Sequence, residues 1–309
     1  MGCYIICIYV FIFKNAEGKV KEETIMSKFK LFDSKSKGFK IFFIVSLIIV
    51  GLFVLLPLYW ILITALKPAK DAFNVNPSLF PKSITFDNFI QVITDKRILI
   101  YLRNSLFVSF ISCFISTVLC TYAGYSFSKF RYKGRKSFMM LVMTAQMFPF
   151  AVLLLTIYTV MRKFNLLDNY LSLILSFVTF TLPMGTLTLK SYFDEIPDSL
   201  IESGSIDGAS RMTIMHKIIF PLVVPGVIST AIYGFVWSWN DLLYSLTLVT
   251  SAAKRTLAPG LSLTYMGEFQ NNWSNMMAAS IFVSIPVALI FIFLQRYFIQ
   301  GITSGSVKG

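Results

Sequence analysis

Between Ile41 and Leu66 the chain runs 26 residues without one charged side chain, and comparable apolar runs recur along its length. An apolar stretch of about 18 or more residues is long enough to cross the hydrocarbon of a bilayer as a helix. Six such spans are expected, with soft ends, at 41–66, 104–127, 138–161, 170–189, 221–250 and 277–300. Only 14% of the 309 residues are charged, against roughly a quarter in a soluble domain, and the deficit is concentrated in these runs. The expected fold is an all-α polytopic membrane protein. Pro57, Pro149, Pro183 and Pro286 fall inside the spans and predict kinks, which neighbouring helices tolerate.

The net charge of +13 does not argue for nucleic acid, because the cations are sorted between loops. With the N-terminus inside and six spans, 18 of the 28 Lys and Arg fall on the cytoplasmic side and ten on the other. The loop Lys129-Phe130-Arg131-Tyr132-Lys133-Gly134-Arg135-Lys136 contributes most clearly. Cytoplasmic loops carry the excess of Lys and Arg, so both termini are expected in the cytoplasm. Residues 1–38 form an N-terminal segment, 39–300 the membrane domain and 301–309 a cytoplasmic tail. Within the first segment, Cys3–Phe13 is apolar but too short to span. Lys21-Glu22-Glu23 can be encoded by a purine-rich ribosome-binding sequence ahead of Met26. The expectation is that translation starts at Met26 and that 1–25 is a misassigned extension, the alternative being an interfacial anchor.

Segment 190–220 lies between the fourth and fifth spans and contains a polar island, Glu202-Ser203-Gly204-Ser205-Ile206-Asp207-Gly208-Ala209-Ser210. Pro197 and Asp198 suit a helix start, and Asp207-Gly208 is a turn signal at which glycine accepts positive φ. A second helix is expected from Ala209-Ser210, capped by Asp207 and offering Met212, Ile214, Met215, Ile218 and Ile219 as an apolar docking face, before Pro221 and Pro225 reset the chain into the fifth span. No cluster of His, Cys and carboxylates has metal-ligand spacing, and Cys113 and Cys120 read as packing residues. Gly134-Arg135-Lys136-Ser137 is not a phosphate-binding Gly-x4-Gly-Lys loop, so the chain is not expected to hydrolyse ATP itself.

Glu202-x4-Asp207-Gly208-Ala209-Ser210, with Ile219-x-Pro221 beyond it, resembles the EAA loop of ABC-importer permeases, the binding-protein-dependent inner membrane components. Tyr192-Phe193-x2-Ile196-Pro197 is similar to the lead-in of the carbohydrate branch. Gln295-Arg296-Tyr297-Phe298 through Gly309 is similar to the C-terminal tail of six-span, maltose-type permeases. Trp237-x-Trp239-Asn240-Asp241, Ala258-Pro259-Gly260 and Trp273-x2-Met276-x-Ala278 extend the likeness over most of the chain. Ser203 and Gly204 stand where the family has alanines.

The resemblance implies a type I ABC importer permease in the bacterial cytoplasmic membrane, carrying a sugar of the maltodextrin or galacto-oligosaccharide kind. It implies a sister permease, two ATPase subunits that use ATP and Mg, and an extracytoplasmic solute-binding protein, with no cofactor or metal on this chain. Glu202, Ser203, Gly204, Asp207, Gly208, Ala209 and Ser210 would form the ATPase-coupling loop. Gly301, Thr303, Gly305, Lys308 and Gly309 would lie against a partner as an extended tail. Tyr233, Trp237, Trp239, Asn240 and Asp241, with Phe235 and Tyr244 nearby, are candidates for the translocation path, and Gln146 and Asn104 are weaker ones. Asp241 reads slightly better as a brace. The 254–275 loop is the candidate contact for the binding protein. A secondary transporter for a small polar solute, without an ATPase, is the alternative; its intramembrane charge pairs are missing from these spans.

Overall fold

The computed structural model describes residues 37–72, 78–81, 83–267 and 272–306. The proposed start at Met26 and the tail residues Lys308 and Gly309 lie outside the described residues. The elements in order are α1 (Lys37–Leu66), α2 (Asp87–Thr94), α3 (Lys96–Lys129), α4 (Arg135–Met147), α5 (Phe150–Lys163), α6 (Tyr170–Asp194), α7 (Asp198–Ile206), α8 (Arg211–Trp239), α9 (Leu243–Leu248), α10 (Leu257–Tyr265) and α11 (Trp273–Ser306).

The contacts divide the chain into 1–60 and 61–309. In the first unit, the described part of α1 carries exposed Ile44, Leu47, Phe53 and Leu56 and buries no residue of its most apolar window. A helix apolar on every side is stable in hydrocarbon, which makes α1 a lipid-exposed span.

In the second unit, α3 and α6 form the central pair and α8 packs on both. Asp95 caps α3 by accepting from the Arg97 amide (2.8 Å), and Asn169 caps α6 by accepting from the Leu171 amide (3.0 Å). Each satisfies an amide that the first helical turn leaves open. One core cluster joins Tyr101, Phe235, Trp239, Leu257 and Ala278; a second joins Phe177, Tyr244 and Leu248; a third joins Tyr125, Phe193, Ile214 and Ile219. Cys113 and Cys120 pack among these helices, as expected.

Among the described residues, five helices are long and apolar enough to cross a membrane, and a bent pair makes a sixth span if counted as one. That pair corrects the expected single span 138–161: α4 and α5 meet at 103°. The cause is Phe148-Pro149. Proline pushes its predecessor out of the helical region, and Phe148 sits at φ −80°, ψ 134°. By contrast Pro57, Pro183 and Pro286 stay inside continuous helices.

The expected span 221–250 also differs. It starts earlier, because α8 runs unbroken from Arg211, and it stops at Trp239, where Asn240-Asp241 opens a new short helix. Pro221 and Pro225 therefore do not reset the chain. Instead residues Ile214–Ile219 widen into a π-helical turn, in which the Phe220 amide donates to Met215 O. Pro221 follows directly and crowds the preceding turn, which the wider turn relieves. Lastly, α11 stays helical through Ser306, so Gly301, Thr303 and Gly305 are helical where an extended tail was expected.

Candidate functional site

The Glu202–Ser210 island forms a tight helix–turn–helix between α6 and α8. Its first arm, α7, is held at its start by Lys129, the last residue of α3. The Lys129 Nζ donates to Ile196 O (2.5 Å) and to Asp198 Oδ1 (2.8 Å), and its side chain is only 8% exposed. The same ammonium holds the Asp198 carboxyl below its ordinary 3.8. Lys190 and Ser128 both bind Asp194 just before the turn.

Gly204 faces inward from α7 onto α8. A Cβ at this position would lie 2.9 Å from Ile218 Cδ1 and 3.1 Å from Ile214 Cγ1. This is why the chain carries glycine at one of the two positions where the resemblance expects alanine: the two arms are too close here for a methyl group without adjustment. Ser203 points out and donates to Ser199 O (2.8 Å).

Gly208 forms the turn at φ +79°, and a Cβ there would have no atom within 4 Å. The left-handed backbone, not crowding inside the chain, is what selects glycine. The Ala209 amide donates to Gly204 O (3.0 Å) and the Gly208 amide to Ser205 O (3.1 Å), closing the end of α7.

Two sequence expectations are corrected here. Asp207 ends α7 with an exposed side chain, and the cap of α8 is Ser210, whose Oγ accepts from the Thr213 amide (3.2 Å). The apolar face is also different. Ile214, Met215 and Ile219 are buried in the third core cluster and Ile218 is half-buried, because the π turn faces inward. The exposed apolar residues are Leu200, Ile206 at 85% and Met212 at 58%, interspersed with exposed Glu202, Ser203 and Asp207. An isoleucine so exposed beside a carboxylate leaves a mixed apolar and acidic surface. His216, without a partner in sequence, accepts from the Tyr122 hydroxyl (3.1 Å): its Nδ1 faces the acceptor Met212 O (2.8 Å) and must carry the proton in the neutral ring.

The second feature is a cavity of about 540 Å³ under the α4–α5 bend. Gln146, Phe150, Thr179, Phe180, Tyr233 and Trp237 contribute to its wall. Trp237 stands edge-on to Phe150 (5.5 Å) and beside Tyr233 (6.1 Å). Thus the path candidates Tyr233, Trp237 and Gln146 share one cavity wall. Trp239, Asn240 and Asp241 are not among the lining residues. Trp239 is buried and stacks on Phe235 (5.4 Å), and Asn240 donates to Val236 O (3.0 Å). Asp241 accepts from the Tyr244 and Ser245 amides (3.4 and 2.8 Å), which agrees with its reading as a brace. Tyr244 is buried and donates to Phe150 O (2.9 Å), fixing the bend from behind. Asn104 is also a brace, donating to Ala253 O and Arg255 O (both 2.9 Å).

Within 254–275, α10 packs inward through Leu257, Leu261 and Tyr265, which leaves less of this segment free than a loop would. Sequence reasoning missed Asp168. Its carboxylate accepts from the Thr250 amide (3.1 Å), the Ser251 amide (2.9 Å) and the Ser251 hydroxyl, and it pairs with Lys254 (3.3 Å). The Ser251 hydrogen bonds, followed by Lys254, pull its pKa down to about 2. Asp168-Asn169 before an apolar run is a helix-start signal, but nothing local indicates a partner more than 80 residues away. Lys129 was missed for the same reason.

Residues 116–304 match the family model described as binding-protein-dependent transport system inner membrane component. The diacetylchitobiose uptake system permease protein DasC of Streptomyces coelicolor is 34% identical over 86% of this chain and 96% of its own length. The trehalose/maltose transport system permease protein MalG of Thermococcus litoralis is 29% identical over 87% and 97%. A chain of a bacterial ABC transporter involved in importing the acidic polysaccharide alginate superposes with a TM-score of 0.72 at 23% identity, covering 85% of this chain and 98% of that one. The last likeness shows the fold of an ABC importer permease. The family is a transport subunit without a nucleotide-binding domain of its own, which disfavours the secondary transporter. The chain therefore belongs to the binding-protein-dependent transport system inner membrane components, the permease subunits of ABC importers.

Proposed function

We propose that this chain is one half of the pore of a sugar importer, and that the Glu202–Ser210 turn transmits the power stroke of a separate ATPase. The turn carries the reading: a left-handed glycine in open space, in a helix–turn–helix that also exposes Ile206, Met212, Glu202 and Asp207, its first arm clamped to α3 by Lys129 and its second arm the start of α8. Such a surface fits a cleft on another protein, and its rigid joints convert movement of that cleft into movement of α3 and α8. Glu202 supplies the polar contact, while Gly208 allows backbone approach. Two ATPase subunits bind ATP and Mg, a sister permease completes the pore, and a solute-binding protein delivers substrate. Charge asymmetry supports placing the turn and both termini in the cytoplasm. The tail from Gly301 to Gly309 is a second ATPase contact.

The substrate is a disaccharide or short oligosaccharide of the maltodextrin kind. Relatives named for diacetylchitobiose and for trehalose or maltose support that size class. The cavity below the bend supports it too, since about 540 Å³ lies within the roughly 300–1,000 Å³ of ligand sites and presents Tyr233 and Trp237 as stacking faces. The test is copurification of the ATPase with the tagged chain. It is expected with the native turn and lost when Glu202 and Asp207 are both replaced by lysine; retention and normal uptake in that variant would overturn the coupling role.

A further inference from the structure

The segment joining α3 to α4 carries five cations in eight residues, Lys129, Arg131, Lys133, Arg135 and Lys136. Two of them are engaged inside the chain: Lys129 clamps α7, and Arg135 donates to Ser128 O (3.3 Å) and Phe130 O (3.1 Å). Arg131 is exposed, and its charge reaches Asp198. Lys133 and Lys136 are exposed and form no hydrogen bond or ion pair among the described residues. Gly134, at φ +85°, folds the loop back on itself, so that residues 131–137 line a shallow concavity of about 560 Å³.

The loop is too short to leave the bilayer surface, because Lys129 ends one apolar helix and Arg135 begins the next. Tyr132 (41% exposed) and Phe138 (59% exposed) flank the cations with free aromatic surface. Cations beside exposed rings at the end of membrane helices match a phosphodiester joined to an acyl chain.

We propose that this concavity binds the headgroup of an anionic phospholipid. Lys133 and Lys136 contact the phosphate, Arg131 adds field, and Tyr132 and Phe138 lie along the glycerol and the first acyl carbons. A free phosphate ion shares the first half of this chemistry and lacks the second. The inference is independent of the coupling role of the Glu202–Ser210 turn.

The test uses the full-length chain extracted with whatever subunits accompany it. Native mass spectrometry counts phosphatidylglycerol retained against phosphatidylcholine, in the native protein, in Lys133→Gln/Lys136→Gln and in Arg162→Gln/Lys163→Gln. The last removes the same charge from the end of α5. Retention of phosphatidylglycerol should fall about thirtyfold in the first variant, stay near native in the second, and return in Lys133→Arg/Lys136→Arg. Millimolar inorganic phosphate should not displace it. Undiminished retention in Lys133→Gln/Lys136→Gln, or an equal loss in Arg162→Gln/Lys163→Gln, overturns the site. Displacement by inorganic phosphate assigns it to a soluble ion and overturns the lipid.

Discussion

Substitution of Gly208 separates two demands that the turn places on one residue. At φ +79° an L-residue is strained by about 1–2 kcal/mol, except that asparagine visits this region more readily. Nothing in the chain lies within 4 Å of a Cβ there, so the substitution adds no internal clash. Gly208→Ala therefore costs about 1–2 kcal/mol and Gly208→Asn less, both small beside the roughly 5–15 kcal/mol of a folded protein. Membrane insertion and yield should stay close to native for both. If an ATPase surface packs on the turn, however, the larger asparagine is excluded from the contact. The order of transport defects then reverses the order of strain, with Gly208→Asn worse than Gly208→Ala. The assay is sugar uptake into proteoliposomes containing the assembled importer, alongside copurified ATPase. Native uptake with Gly208→Asn would refute the docking argument, because it would show that only the backbone conformation matters.

Four further outcomes follow from the geometry. Lys129→Gln leaves Ile196 O without its ammonium, a loss of about 1–3 kcal/mol, and should cut uptake several-fold while leaving protein levels unchanged. Gly204→Ala gains about 1 kcal/mol of helix propensity but tightens the 2.9 Å approach to Ile218, so its thermal midpoint should change little, and Gly204→Leu should lower it clearly. Trp237→Ala should weaken sugar transport about tenfold without loss of ATPase copurification, since it changes only the cavity wall. Asp168 has a folded-state pKa of about 2 against an ordinary 3.8, so its contribution is complete above about pH 4 and lost as pH falls from about 4 to 2. The stability difference between native protein and Asp168→Asn, which also tolerates the φ of 54° at this position, should be present at pH 6 and vanish near pH 2.

The spans were legible because hydropathy over 20 residues reports burial in lipid without regard to tertiary detail. The turn was legible because Asp-Gly between helices requires a particular backbone. What escaped was set by contacts distant in sequence. Whether Pro149 kinks a span or breaks it depends on what supports the bend, and that support is Tyr244, 94 residues beyond the Phe150 carbonyl it binds. Pro183 looks similar in sequence and stays helical because α6 is enclosed by α3 and α8. Of the expected docking face Met212 is exposed, but Ile214, Met215 and Ile219 are buried and Ile206 is exposed instead, because a π turn shifts helical phase; the one sequence hint to that is Pro221 just behind it. Trp239 reads as a path candidate through its chemistry alone and is buried against Phe235, whereas the brace reading of Asp241 follows from the cost of a carboxylate near a membrane segment.

Site-specific cross-linking tests the coupling role most directly. Ile206→Cys places a thiol on the most exposed apolar position of the turn, and Lys163→Cys places one at the end of α5. With a maleimide-benzophenone label photolysed in native membranes, Ile206→Cys should give an adduct of this chain with the ATPase subunit, its yield changing on addition of ATP, and Lys163→Cys should give none. No ATPase adduct from Ile206→Cys, in membranes where the importer transports sugar, would contradict the account.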